Sequence, residues 1–238
     1  MSSIVILCGG IASRLGEKCK YVPKILLEIN HIPFIELLIE NYQKLGFKEF
    51  YFITGHLGDK ILDYSANIRK KFPNLIFYYF NEGEERLGTG GSIKKFSPLL
   101  PDNFFLTYGD SFLNVSRKEI KYLSSIKNEP GINMLIYKNK DKFDISNISI
   151  SFETKSIIEY EKGLLGKHEY IDAGLMFFCG AKYLFNKYSE EKFDLSKIIK
   201  GTIESIGVNV VINKHRFYEI GSLFGIQELE EYLMKEKK

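Results

Sequence analysis

Short apolar runs alternate with helix-patterned stretches through the first half of this chain, and that alternation excludes most folds before any motif is weighed. Ile4-Val5-Ile6-Leu7-Cys8 is apolar at every position and ends at Gly9-Gly10. A strand without polar alternation is buried on both faces, as in a parallel sheet covered by helices. From Pro33 onward, Phe34, Leu37, Leu38, Tyr42 and Leu45 fall at helical spacing, and Gly46 stands where a left-handed residue would close the helix. Residues 50–54 then read as strand, 57–72 as helix, 75–80 as strand, 90–100 as helix and 104–108 as a buried strand. This βαβαβαβ order requires right-handed crossovers and a mostly parallel sheet with helices packed on it.

After a helix at 116–126 the pattern turns strand-rich, with runs at 133–137, 145–152, 156–160 and 175–179. Residues 152–155 look like a hairpin connection. Helices at 194–206 and 223–235 flank a last strand at 208–212. The expected fold class is therefore α/β: a Rossmann-like three-layer sandwich with a mostly parallel, mixed central sheet and a small antiparallel lobe. With 238 residues, 45% of them hydrophobic, the chain can bury a full core. No repeat, low-complexity stretch or Pro-rich linker interrupts it, so one domain over 1–238 is expected, with functional halves at 1–130 and 131–238.

Composition removes several function classes. Thirty-three basic and 30 acidic residues leave a net charge of +3, spread too evenly for a nucleic-acid footprint. Cys8, Cys19 and Cys179 form no CxxC pair, and His31, His56, His168 and His215 lie in separate segments, so no zinc spacing is readable. An odd, unpatterned set of thiols fits a reducing compartment. No stretch nears the roughly 18 apolar residues of a membrane span, and the opening apolar run is too short for a signal segment. A cytoplasmic protein that binds neither membrane nor nucleic acid is the expectation.

Four segments could carry chemistry. In Leu7-Cys8-Gly9-Gly10, followed by Ser13-Arg14 and then Pro23-Lys24, glycines would let backbone N–H groups approach phosphate oxygens while a guanidinium and an ammonium offset their charge. The plain alternative is a tight turn with a surface arginine. Leu87-Gly88-Thr89-Gly90-Gly91-Ser92 begins a helix and would aim donors at a ligand, or would simply be a glycine-rich start capped by Thr89. Gly109-Asp110 ends a buried strand, where ligands of open α/β sheets bind; Asp110 could hold Mg²⁺ against a phosphate, or merely cap a turn. Glu219, in Phe217-Tyr218-Glu219-Ile220-Gly221-Ser222, offers a second acid for the same cation, or a solvent-facing residue near a helix start.

Together these segments resemble the sugar-1-phosphate nucleotidyltransferase family. Its opening signature is a strand, Gly-Gly-x-Gly-Thr/Ser-Arg-Leu and a later Pro-Lys pair. Its other signatures are Leu-Gly-Thr-Ala/Gly-Gly, a Gly-Asp, and an aromatic-x-Asp-x-Gly-Thr near the last helix. The resemblance runs from the glycine loop to Glu219. Ala12, Glu17, Cys19 and Arg86 depart from the usual pattern, as does Glu219, where the family has Asp. The resemblance implies a reaction, NTP plus sugar 1-phosphate giving NDP-sugar plus pyrophosphate, with Mg²⁺ as cofactor. It implies that Leu7, Gly9, Gly10, Ser13, Arg14, Gly88, Thr89 and Gly109 bind the nucleotide, and that Arg14 and Lys24 steady the departing pyrophosphate. Asp110 and Glu219 would hold the metal. Glu159-Tyr160-Glu161-Lys162 looks like the family's Val-Glu-Lys-Pro, placing Glu161 on a sugar hydroxyl and Lys162 on the acceptor phosphate. Asp172-Ala173-Gly174 matches its Asn-Ala-Gly, with Asp172 shaping sugar choice beside Gly174.

Within the family the chain resembles a compact bacterial branch that activates heptose, mannose or glucose for surface polysaccharides, above all the heptose 1-phosphate guanylyltransferases. Such proteins often form dimers or tetramers, which implies a homo-oligomer. Two rivals stand beside this reading: a cytidylyltransferase for a non-sugar phosphate such as phosphocholine or a polyol phosphate, and a nucleotide-binding regulatory module without turnover. Base, acceptor and oligomeric state are not readable from the residues.

Overall fold

A computed structural model describes residues 3–10, 15–16, 19–83, 85–126 and 130–236. In chain order these form β1 (Ser3–Leu7), β2 (Glu28–Ile29), β3 (Ile32–Pro33), α1 (Phe34–Leu45), β4 (Glu49–Thr54), α2 (Gly58–Lys71), β5 (Ile76–Asn81), α3 (Gly88–Phe96), β6 (Phe104–Tyr108) and β7 (Ser111–Leu113). There follow α4 (Arg117–Ser125), β8 (Gly131–Lys138), β9 (Ile148–Ser151), β10 (Ser156–Tyr160), β11 (Tyr170–Cys179), α5 (Ala181–Asn186), α6 (Leu195–Ser205), β12 (Val208–Asn213), β13 (Phe217–Glu219) and α7 (Leu223–Glu236). The fold is α/β, as the alternation requires. Its described residues divide into two compact units that interleave along the chain: unit 1 draws on Met1–Arg86, Thr107–Leu113 and Phe217–Lys238, unit 2 on Leu87–Leu106 and Asn114–Arg216.

Unit 1 is built on parallel pairing. β1 pairs with β4 and β4 with β5, all in parallel register. Ile4, Val5 and Ile6 are fully buried, which explains why this strand carries no polar alternation. Neighbouring strands align their rings: Phe50 lies 5.6 Å from Phe77 and Phe52 stacks on Tyr79 at 5.3 Å. α1 buries Phe34, Ile35, Leu38, Ile39 and Tyr42, then stops at Gly46, whose φ of 103° is left-handed as expected. The Tyr42 hydroxyl shares a hydrogen bond of 2.8 Å with Thr107 Oγ1, a buried polar pair that ties α1 to the end of β6.

Unit 2 is built mainly on antiparallel pairing. β11 runs antiparallel to β8, β10 to β12 and to β9, while β12 runs parallel to β8. The β9–β10 connection at 152–155 is the hairpin expected, with Lys155 at positive φ. α4 begins with a capping box in which Ser116 accepts the Glu119 N–H and the Glu119 carboxylate accepts the Ser116 N–H. Phe104 and Phe178 stack at 5.5 Å inside this unit.

Three differences from the periodicity have physical causes. The strand expected over 145–152 shrinks to β9, because Asn139 donates to the Asp144 carbonyl and to Ser146 Oγ and pins that loop upstream of the ladder. The antiparallel pair β7–β13 has strands of three residues, too short to display a period. α5 has six residues, likewise below the length at which helical spacing declares itself. No helix among the described residues is long and apolar enough to cross a membrane.

Candidate active site

In unit 1 the candidate residues begin where β1 ends. Cys8 N–H continues the ladder to the Ile53 carbonyl at 2.9 Å, and its thiol reaches the same oxygen at 3.3 Å. Burial pushes that thiol far above its ordinary range, with the Glu82 carboxylate adding to the effect, so Cys8 stays protonated and is no nucleophile. Gly9 is required by close approach: a Cβ there would stand 3.0 Å from Gly55 N and 3.1 Å from Glu82 Oε1. Gly10 is exposed, and among the described residues nothing lies within 4 Å of its absent side chain. Ser13, Arg14 and the departing Ala12 lie outside the described residues.

β6 delivers the acid. Gly109 N–H donates to the Leu7 carbonyl at 2.8 Å, and a Cβ on Gly109 would meet Cys8 Cβ at 2.8 Å, so the ends of β1 and β6 approach as only glycine permits. Asp110 follows immediately. Pro23 sets up a short 3-10 turn at Lys24–Leu26, and Lys24 Nζ lies 2.8 Å from Asp110 Oδ2. Side-chain exposures of 17% and 30% make this a partly shielded pair, stronger than a surface bridge. The β7–β13 ribbon then carries Glu219 alongside: Glu219 pairs with Ser111, and Ile220 N–H donates to the Asp110 carbonyl at 2.9 Å. Two acids more than 100 residues apart in the chain thus sit on neighbouring backbones. α7 packs onto the Glu219 carbonyl so closely that a Cβ at Gly225 would come within 2.0 Å of it. Ser222, rather than Glu219, caps that helix, accepting the Gly225 N–H at 3.1 Å.

In unit 2 the glycine-rich start of α3 has a packing reason. Gly90 and Gly91 N–H groups both donate to the Phe193 carbonyl at 3.0 Å. A Cβ on Gly91 would fall 2.2 Å from the Glu191 carbonyl, and one on Gly90 2.4 Å from the Phe193 ring. Thr89 Oγ1 accepts the Leu195 N–H at 2.9 Å, so Thr89 caps α6 rather than its own helix. Gly88 takes a φ of 73° immediately before. Two of the free N–H groups expected at this helix start are therefore engaged inside the protein.

The remaining residues cluster around β10 and β11. Glu161 N–H donates to the Asn147 carbonyl at 2.8 Å, and its carboxylate accepts from Lys167 at 3.1 Å, which holds its pKa below the usual range. Lys162 is exposed next to it. Asp172 opens a bulge that runs to Leu175, with Gly174 at a φ of 83° and donating its N–H to Asp172 Oδ1 at 2.8 Å. Burial raises the Asp172 carboxyl from 3.8 to about 6, against the stabilising Gly174 N–H and Lys162 charge. Two participants were not legible as motifs. Asn147 stitches this cluster, its side-chain oxygen accepting the Asp172 N–H at 3.1 Å, and Glu82 brings a carboxylate against Gly9 and Gly55. Neither stands in a patterned segment, so only the folded chain identifies them.

No family model matches the chain. It is similar to a D-glycero-alpha-D-manno-heptose 1-phosphate guanylyltransferase of Campylobacter jejuni, 28% identical over 218 residues, covering 91% of this chain and 93% of the relative. A probable glucose-1-phosphate cytidylyltransferase of Bacillus subtilis is 27% identical over 130 residues, covering 47% of this chain and 51% of the relative. The crystal structure of HddC from Yersinia pseudotuberculosis complexed with GMP-PN superposes with a TM-score of 0.78 at 22% identity, covering 98% of this chain and 100% of that one, and shares the fold. Fold and relatives together define a nucleotidyltransferase, an enzyme that transfers a phosphorus-containing group. Heptose 1-phosphate guanylyltransferases and glucose-1-phosphate cytidylyltransferases recur among its relatives, which supports the sugar-1-phosphate nucleotidyltransferase family that the sequence motifs resemble.

Proposed function

We propose that this enzyme transfers the nucleoside monophosphate of GTP to a heptose 1-phosphate or similar sugar 1-phosphate and releases pyrophosphate, all 238 residues acting as one catalytic domain. The observation that carries this reading is the Lys24–Asp110 pair at the carboxyl end of β6, with Glu219 on the adjoining strand. A phosphate monoester is already ionised near neutral pH, so the acceptor oxygen needs no general base. Catalysis then rests on positioning and on neutralising charge. Gly9, Gly10 and Gly109, with Leu7, shape the backbone that receives the nucleotide. Ser13, Gly88 and Thr89 are proposed to complete its binding, Thr89 through backbone because its hydroxyl is engaged by Leu195. Arg14 and Lys24 stabilise the pyrophosphate as it leaves.

Asp110 and Glu219 suit Mg²⁺ because they are hard oxygen donors on adjoining backbones. Lys24 bonds to Asp110 Oδ2, while among the described residues Oδ1 has a long contact of 3.5 Å from Ser111. When bound, Mg²⁺ would supply positive charge at the reacting phosphate. Lys24 serves as the resting counter-charge of Asp110, and becomes available to pyrophosphate when that carboxylate is otherwise neutralised. On the acceptor side, Glu161 and Asp172 bind sugar hydroxyls, Gly174 holds the bulge that presents Asp172, and Lys162 pairs with the acceptor phosphate. The relatives' names support guanine and heptose as the partners of choice. Pyrophosphate release measured for four NTPs against a panel of sugar 1-phosphates tests the proposal. GTP with a heptose or mannose 1-phosphate should dominate; release with none of these acceptors would refute it.

A further inference from the structure

A further candidate lies in unit 2, uses none of the residues of the Asp110 motif, and shares Glu161 with the acceptor residues proposed above. One oxygen each of Glu159 and Glu161 and a ring nitrogen of His168 all lie within 4.8 Å of one another. His168 is only 3% exposed, and its Nε2 is buried without a hydrogen-bond partner among the described residues. Its Nδ1 lies 2.8 Å from Ser149 Oγ. If Nδ1 donates that hydrogen bond, Nε2 presents a lone pair, the arrangement in which a neighbouring hydroxyl orients an imidazole for a metal. The two carboxylates already attract a cation, because Lys167 Nζ bonds to both.

We propose that Glu159, Glu161 and His168 form a divalent-cation site of the zinc class that ties the end of β10 to the loop two residues before β11. An imidazole and two carboxylates form the mixed nitrogen and oxygen set that Zn²⁺ accepts in three-ligand sites, with water completing the tetrahedron. Mg²⁺ prefers oxygen alone, so this site and the Asp110 site differ in metal preference. The Lys167 ammonium holds the place of the cation and leaves when Zn²⁺ enters. Glu161-Lys162 and the loop to His168 are then held at both ends. This site does not depend on the transferase reading.

The full-length protein, held in excess MgCl₂, is titrated with ZnCl₂ by calorimetry and with CoCl₂ by visible absorption. One equivalent of Zn²⁺ should bind, and Co²⁺ should show the absorption of a nitrogen-containing low-coordinate site. His168→Gln and Glu159→Gln should each weaken Zn²⁺ by about tenfold or more. Lys167→Met should strengthen it by removing the competing ammonium, and Asp110→Asn should leave it intact. Glu159 is at the surface, so its variant decides the matter if His168→Gln does not fold. Zn²⁺ affinity unchanged in Glu159→Gln, or Zn²⁺ binding that Asp110→Asn alone removes, would overturn the proposal and leave a simple ion triad.

Discussion

Unit 1 and unit 2 handle charge in opposite ways. In unit 1 a single lysine, Lys24, meets a single acid, Asp110, in a partly shielded pair whose partners come from a 3-10 turn and a strand end. Among the candidate residues of unit 2 the balance differs: burial raises the Asp172 carboxyl to about 6, while Glu159 and Glu161 share one lysine. A parallel layer ends all its strands on one side, so functional groups gather there by construction. An antiparallel lobe has no such edge and must build its cluster from a bulge, a hairpin and a loop. The contrast separates a carboxylate with an ammonium of its own from carboxylates that share one or are enclosed without one.

The largest effect expected from this contrast is in unit 1. Asp110→Asn should lower pyrophosphate release by about 10³-fold with Mg²⁺ present, at unchanged secondary structure; steady-state rates with circular dichroism check it, and near-native turnover would erase the distinction between the units. Lys24→Met should lower kcat by about 10²-fold, since it removes charge from the leaving group. Rates in rising Mg²⁺ would sharpen that result, because less Mg²⁺ should be needed once the lysine no longer competes for Asp110.

Gly91→Ala probes whether the glycine run of unit 2 serves packing. The added Cβ would sit 2.2 Å from the Glu191 carbonyl, so stability should fall by about 2 kcal/mol. The melting temperature should then drop by several degrees. A raised KM for GTP at unchanged melting temperature would instead assign the run to the ligand.

The smallest effect concerns pH. Asp172 titrates near 6 in the folded protein against 3.8 for an ordinary aspartate, so the unfolded chain releases this proton first. Stability from this group is therefore lost as pH rises from about 4 to 6 and is level above that. Asp172→Asn should be more stable than the parent by about 1 kcal/mol at pH 7.5, discounting for partial exposure, and nearly equal to it at pH 4. Urea unfolding at the two pH values reads the difference; equal gains at both would mean that Asp172 is not held in a raised state.

Much of unit 1 was legible before folding. Ile4 to Leu7 read as a doubly buried strand, Phe34 to Leu45 as a helix and Gly46 as its stop, since each pattern is a repeat over several residues. Gly9, Gly109 and Asp110 were visible because glycine and acid at a strand end are informative types in an informative place. The ribbon of β7 and β13 was not, because three residues carry no period. The glycines at 90 and 91 were legible as residues but not as to purpose: the same spelling serves a ligand cradle or a close helix contact, and only Phe193 and Glu191 decide for contact. His168 had no metal spacing along the chain, since its acidic neighbours are reached through a loop.

The sequence alone determined the longer elements and the α/β class, because hydrophobic period, β-branching and glycine stops act within a few residues of chain. It also determined which residue types stand at strand ends. Tertiary structure decided the partnerships. Lys24 meets Asp110 across 86 positions, Thr89 caps a helix 106 positions away, and His168 is buried beside two acids. Such pairings depend on strand order and loop closure, which are set by how whole elements pack and leave no trace in any local pattern.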